Sequence, residues 1–293
     1  MYESYFSLAR PAFAKAPDPA FFFESGGHEQ AAAHLLYAAE SGEVGVLTGE
    51  VGCGKTTVCR VVWKEIASRP QFIPLSFAHP RLTPGGILDA VAAKLREAGM
   101  GDAPPAGRSK ESKLNEIAVR MKAVAAAGKT LVVLCDEAQA LKGPQALEEF
   151  RLLTNFQTDD RSLVSILLVG QDELLGKLRH PSLRSLRQRI GLRFRLSPLA
   201  ERETDEYLRH RLAAAGAPDP TLFEPGTGAW LHRLSQGIPR LLNTLATQAL
   251  VQAMAEGKHR VDVSVVSAVE KDLAWPAGEN QKHRTQRDEP WWT

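Results

Sequence analysis

The run Gly49-Glu50-Val51-Gly52-Cys53-Gly54-Lys55-Thr56-Thr57 puts three glycines, an ammonium and two hydroxyls side by side. Glycines adopt backbone dihedrals that a side chain forbids, so successive N–H groups can turn inward on an anion. The spacing G-x-x-x-x-G-K-T suits a polyphosphate. Loop amides hold phosphate oxygens, Lys55 reaches the β- and γ-phosphates, and the Thr56 hydroxyl ligates Mg²⁺. The apolar run from Val44 reads as a strand entering the loop. Val58, Val61, Val62 and Ile66 form one face of a helix leaving it. The positive end of that helix adds to the field on the phosphates. Strand, glycine loop and helix together point to a bound nucleoside triphosphate.

A second set of polar groups follows apolar strands. Thr130-Leu-Val-Val-Leu-Cys135 delivers Asp136 and Glu137. Asp136 is placed to hold Mg²⁺, and Glu137 to orient and polarise an attacking water. An acidic helix cap is the alternative. Gln171, after Leu163–Gly170, could meet the γ-phosphate or that water, or could be an ordinary turn residue. Arg184, Arg187, Arg189, Arg193 and Arg195 crowd one segment. Such a run is mostly a solvated face, from which one or two guanidiniums could serve a neighbouring subunit's nucleotide. Gly237-Ile-Pro239-Arg240 ends one helix and opens the next, with Pro239 in the first turn, so Arg240 projects from a rigid start toward the γ-phosphate or into a solvent salt bridge.

These groups need a scaffold, and the apolar pattern supplies one. Helices are expected at about 28–41, 56–68, 84–98 and 110–126, and strands at 44–49, 71–77, 130–135, 163–169 and 193–196. Pro74 argues that the second strand is an edge or irregular. Strands alternating with helices imply an α/β parallel sheet with its ligand at the strand C-termini. After Pro198 only helices follow, at 201–215, 226–235, 239–256 and 262–273. The expected organisation is a core over 1–198, its aromatic and proline-rich first 23 residues wrapping on it, then a helical domain over 199–273. Residues 274–293 read as a flexible tail, carrying Lys282, His283, Arg284, Arg287 and Trp291-Trp292.

At 293 residues the chain can bury a large core, and its net charge of +2 excludes a globally basic nucleic-acid binder. Cys53, Cys59 and Cys135 lack metal-ligand or paired spacing, so they read as reduced thiols. Neither a signal peptide nor an apolar run of about 18 residues is present, so a soluble, cytoplasmic chain with no membrane span is expected.

In this order, the phosphate loop, Leu134-Cys-Asp-Glu-Ala-Gln139, Gly170-Gln171, Gln188-Arg189-Ile190 and Gly237-Ile-Pro-Arg240 resemble an AAA+ ATPase. More narrowly, the sequence is similar over about 2–273 to the ATPase domain of ExeA/GspA-type secretion proteins, with Tyr5-Phe6, Pro11-Phe-Ala, Pro17-Asp-Pro19 and His28 also matching. The resemblance implies a five-stranded P-loop core with a small helical lid and ATP with Mg²⁺ between them. It places Lys55, Thr56, Asp136 and Glu137 at the phosphates and metal, and Gln171 and Arg240 as the two sensors. Arg189 or Arg187 would be the finger reaching an adjacent subunit. Phe13 and His28 would line the adenine pocket; residues 49–57, Pro239 and Arg240 would complete the nucleotide site. A homo-oligomer, ring or filament, that regulates or remodels a protein partner is implied. Short chains of this kind are also similar to TniB-like transposition ATPases, implying duplex DNA as a partner. A slow nucleotide switch with little turnover is the third expectation. Ala78-His79-Pro80 stands where an Asn commonly gates the catalytic glutamate.

Overall fold

A computed structural model describes residues 1–14, 18–77, 83–104, 107 and 109–272. The expectations for Pro17, for Ala78-His79-Pro80 and for the tail fall outside them. Five parallel strands, β1 (Val44–Gly49), β2 (Phe72–Phe77), β3 (Thr130–Cys135), β4 (Val164–Val169) and β5 (Ile190–Leu196), lie in the order β2-β3-β4-β1-β5. The positions follow from the side chains. β1, β3 and β4 are buried at every residue and take the middle, as continuous apolar strands must. Pro74 cannot donate to a ladder on both sides, and β2 pairs only with β3. β5 alternates half-buried and exposed residues and forms the other edge, shifted in register between Val44 and Gly45 of β1.

Alternate strand residues face opposite layers. Leu131 and Val133 pack with α4 (Pro84–Glu97), α5 (Lys110–Ala126) and α6 (Gly143–Leu153). Val132 and Leu134 pack with α2 (Gly26–Ser41) and α3 (Lys55–Ser68). Helix α6, unexpected from the sequence, fills the stretch after Glu137 and buries Ala146, Leu147, Phe150 and Leu153. A short helix, α7 (Glu173–Leu178), precedes the arginine-rich segment, a second, α8 (Arg184–Arg187), lies within it, and β5 begins at Ile190 rather than Arg193. The segment expected as the lid consists of α9 (Glu201–Ala214), α10 (Thr227–Ser235), α11 (Pro239–Ala255) and α12 (Val263–Asp272).

Most of the first 23 residues, including α1 (Tyr2–Tyr5), pack on the lid, where Phe6, Leu8, Phe13 and Phe21 share a cluster with Leu208, Leu212, Leu245 and Val265, while Phe22 packs on the core cluster of α2 and α3. Arg211 holds them there, donating from Nε to the Ala12 carbonyl at 2.7 Å and lying over the Phe21 ring. Among the described residues no helix is long and apolar enough to cross a membrane.

Candidate functional site

The loop after β1 turns over the N-terminus of α3, with Gly52 and Gly54 at φ +92° and +99°. Such angles strain any side chain, and a Cβ on Gly54 would stand 2.6 Å from His28 Nε2. His28 supports the loop from behind. Its Nε2 lies 3.0 Å from the Cys53 carbonyl and its Nδ1 2.6 Å from Ser25 Oγ, the cap of α2. A carbonyl can only accept, so Nε2 carries the proton and Nδ1 accepts from the serine hydroxyl. Burial also holds the imidazole pKa below its ordinary value, which suits that neutral form.

Lys55 Nζ donates to the Gly49 and Glu50 carbonyls, each at 2.8 Å, keeping its ammonium over the loop. Thr56 Oγ1 donates to Asp136 Oδ2 at 3.0 Å, so the two proposed metal ligands, from opposite ends of the sequence pattern, stand together. Burial pushes the Asp136 carboxyl up and the Lys55 ammonium down, since both charges leave water. Glu137 takes a left-handed backbone at φ 54°, a conformation costing a non-glycine residue about 1–2 kcal/mol. Asp136 Oδ1 accepts the Glu137 N–H at 2.8 Å and helps to keep it there.

The lid closes the other side. Gly237 takes φ +72°, and its carbonyl accepts the Leu199 N–H at 2.9 Å in the linker from β5. Pro239 sits in the first turn of α11, and the Arg240 N–H donates to the Gly52 carbonyl at 3.2 Å. The resulting cleft, about 400 Å³, is lined by Val51, Gly52, Gly54, Lys55, Thr56, Thr57, Glu137 and Gln171 from the core. Tyr207, Arg211, Pro239, Arg240 and Asn243 of the lid, with Ala14, complete it. That volume is in the range of small-molecule sites.

Several expected residues lie elsewhere. Phe13 is 2% exposed and packs edge-on against Phe223 in the lid core, so it does not line the cleft. His28 is 5% exposed and faces the back of the loop, because α2 runs beneath it. Gly49, Glu50 and Cys53 shape the loop without lining the cleft: the first two turn their carbonyls to Lys55, and Cys53 is fully buried. Burial raises the Cys53 thiol to about 11 and Cys135 to about 12. Arg189 is exposed, and its guanidinium donates to the Thr154 carbonyl and hydroxyl and to Asn155 Oδ1 at the end of α6. Arg187 donates to the Leu178 and His180 carbonyls. Neither meets the cleft.

Ala14, Tyr207, Arg211 and Asn243 were not anticipated. Tyr207 Oη donates to Asn243 Oδ1 at 2.8 Å, joining α9 to α11 at the cleft wall. The one signal was Asn243, a polar side chain within the apolar stripe of α11.

The family described as "AAA domain" matches residues 39–178. The chain is 39% identical over 288 residues to general secretion pathway protein A of Aeromonas hydrophila, covering 95% of this chain. The chain belongs to the AAA+ proteins. It spans about half, 51%, of that curated relative. Solved AAA+ structures share the fold. The Aeropyrum pernix ORC2 protein in its ADPNP–ADP complexes superposes with a TM-score of 0.58 at 18% identity, over 90% of this chain and 71% of that one. The A. pernix ORC1 protein in complex with DNA gives 0.56 at 20%, over 85% and 64%.

Proposed function

We propose that this AAA+ chain is an ATPase that binds ATP with Mg²⁺ between core and lid, assembles side by side with its copies, and uses hydrolysis to regulate or remodel a partner. The observation that carries this is the pairing of Thr56 with Asp136 at the mouth of the phosphate loop, with Lys55, Glu137 and Arg240 around the same cleft. One hydroxyl and one carboxylate fit Mg²⁺, a hard cation that keeps waters and takes its other oxygens from phosphates. Bound there, the ion would neutralise charge on the β- and γ-phosphates. Lys55 has only to exchange its two loop carbonyls for phosphate oxygens. Glu137, beyond Asp136, would accept the proton of an attacking water. Arg240 would come in from the lid, and Tyr207, Asn243 and Ala14 would bound the base.

The test is nucleotide binding and turnover in paired variants. Lys55→Ala should lose affinity for a fluorescent ATP analogue. Glu137→Gln should keep that affinity and lose turnover by about 10²-fold or more. Unchanged affinity in a folded Lys55→Ala protein would refute the phosphate-site assignment.

A DNA-dependent role has separate support. Arg179 at the end of α7, Arg184 on α8, and Arg193 and Arg195 on β5 are exposed, Arg195 paired with Asp172, so basic side chains gather in the stretch after Gln171 despite the low net charge. DNA-stimulated turnover would favour that reading, and the secretion-type relative supports a protein partner.

A further inference from the structure

Glu137 is held by its own neighbour in the chain. Gln139 Nε2 donates to Glu137 Oε2 at 2.5 Å, while Gln139 Oε1 accepts the Gln171 N–H at 3.1 Å. The amide has only one orientation that satisfies both. A backbone N–H can only donate, so the carbonyl end must face Gln171 and the NH₂ end must face the carboxylate. Space is reserved for this bridge: a Cβ on Gly170 would stand 2.5 Å from Gln139 Oε1. Its base is fixed as well. Lys177 Nζ, from α7, donates to the Gln139 carbonyl and, at 2.7 Å, to that of Leu141. With its backbone clamped, the side chain transmits position rather than absorbing it.

We infer that Gln139 is a positioning residue that ties the Glu137 carboxylate to the end of β4, so that the general base is aimed by the segment whose Gln171 side chain lines the phosphate end of the cleft. This rests on the ATPase reading above. A glutamate on a left-handed residue, followed by a short turn, has several rotamers open to it, and Gln139 selects one. Losing that selection leaves nucleotide contacts intact, because Gln139 does not line the cleft. A misaimed base costs about 10²-fold in the chemical step for an error near 1 Å.

Two variants divide the bridge. Gln139→Met fills the same space with no donor and only a weak thioether acceptor. Gln139→Glu keeps an acceptor for the Gln171 N–H and sets a second carboxylate against Glu137. Three quantities are measured: kcat, affinity for a fluorescent ATP analogue, and hydrogen exchange at the Gln171 amide, with melting temperature as a check on folding. Both variants should lose about 10- to 100-fold in kcat with affinity within about twofold of the parent. Exchange at Gln171 should accelerate in Gln139→Met and stay protected in Gln139→Glu. Parental kcat in both variants overturns the inference. So does a loss of kcat, affinity and melting temperature together, which marks a merely structural role. If the parent protein turns over no ATP, the ATPase reading fails, and the exchange measurement still decides the bridge: an unchanged Gln171 amide in Gln139→Met refutes it.

Discussion

His28→Ala separates two roles for one residue, a wall of the base pocket or a prop behind the phosphate loop. The change removes the donor to the Cys53 carbonyl and leaves that acceptor inside the protein without a partner, a cost of about 1–3 kcal/mol. The space of an imidazole only 5% exposed is emptied as well, so the total should reach about 2–4 kcal/mol. Part of that cost falls on the loop itself, since Cys53 is the residue before Gly54, whose left-handed turn packs on the ring. Loosening it misplaces the amides that face the phosphates, whatever base is attached. Urea unfolding should therefore show the stability loss. Competition binding should show affinities for ADP, GDP and inorganic tripolyphosphate falling by a common factor, about tenfold for 1.4 kcal/mol of loop disorder. A loss confined to adenine nucleotides, with tripolyphosphate unaffected, would return His28 to the base pocket and sink the reasoning.

Other consequences can be read in parallel. Because burial depresses the His28 pKa, the unfolded chain takes up a proton first as pH falls below about 6.5, so stability should drop there; a His28→Asn protein should show a shallower acid slope in thermal melts. Thiols raised to about 11 and 12 at Cys53 and Cys135 leave little thiolate near pH 8, so iodoacetamide should label the native protein far more slowly than the urea-unfolded one, and fast native labelling at Cys53 would refute that reading. Arg189→Ala should keep ATP affinity and lose turnover by about 10³-fold, then regain activity when mixed with the inactive Glu137→Gln protein; a dead mixture under conditions where the parent assembles would pass the finger role to Arg187. If Arg179 and the arginines of α8 and β5 meet DNA, binding should require ATP and weaken steeply between 50 and 200 mM salt, about 10³-fold or more for six phosphate contacts; salt-insensitive retention would point to a protein partner.

What the sequence made legible follows from where information is concentrated along the chain. The phosphate loop and the three central strands are local patterns: glycines at fixed spacing and strands buried at every residue. Pro74 even marked its strand as an edge, since a missing donor is tolerated only there. Helix α6 was less visible because Gly143-Pro144 reads as a turn, although Ala146, Leu147, Phe150 and Leu153 carry the right period. The start of β5 was hidden because Gly191 stands between Ile190 and Leu192 and breaks the apolar pattern of a strand. His28 was named for the wrong face: resemblance marks a position, and only packing shows that α2 passes behind the loop. Tyr207 and Asn243 could not be paired in advance, because two helices that are distant in sequence bring them together. Gln139 lay in plain view beside Glu137, but its second partner, the Gln171 amide, is a backbone group with no signature.

The placement of the N-terminal segment on the lid has a mechanical consequence. The chain starts on the lid, crosses to the core at Ser25–Gly26, and returns at Leu199–Ala200. One carboxylate bridges both crossings: Glu203 Oε1 accepts the Gly26 N–H at 3.2 Å and Oε2 accepts the Ala200 N–H at 2.8 Å. A body fastened at two points turns only about the line that joins them. The lid is therefore a door on two pins rather than a flap on one cord, and Glu203 sets the spacing of the pins. A swing about that line would carry Arg240 and the Tyr207–Asn243 pair toward or away from Gly52.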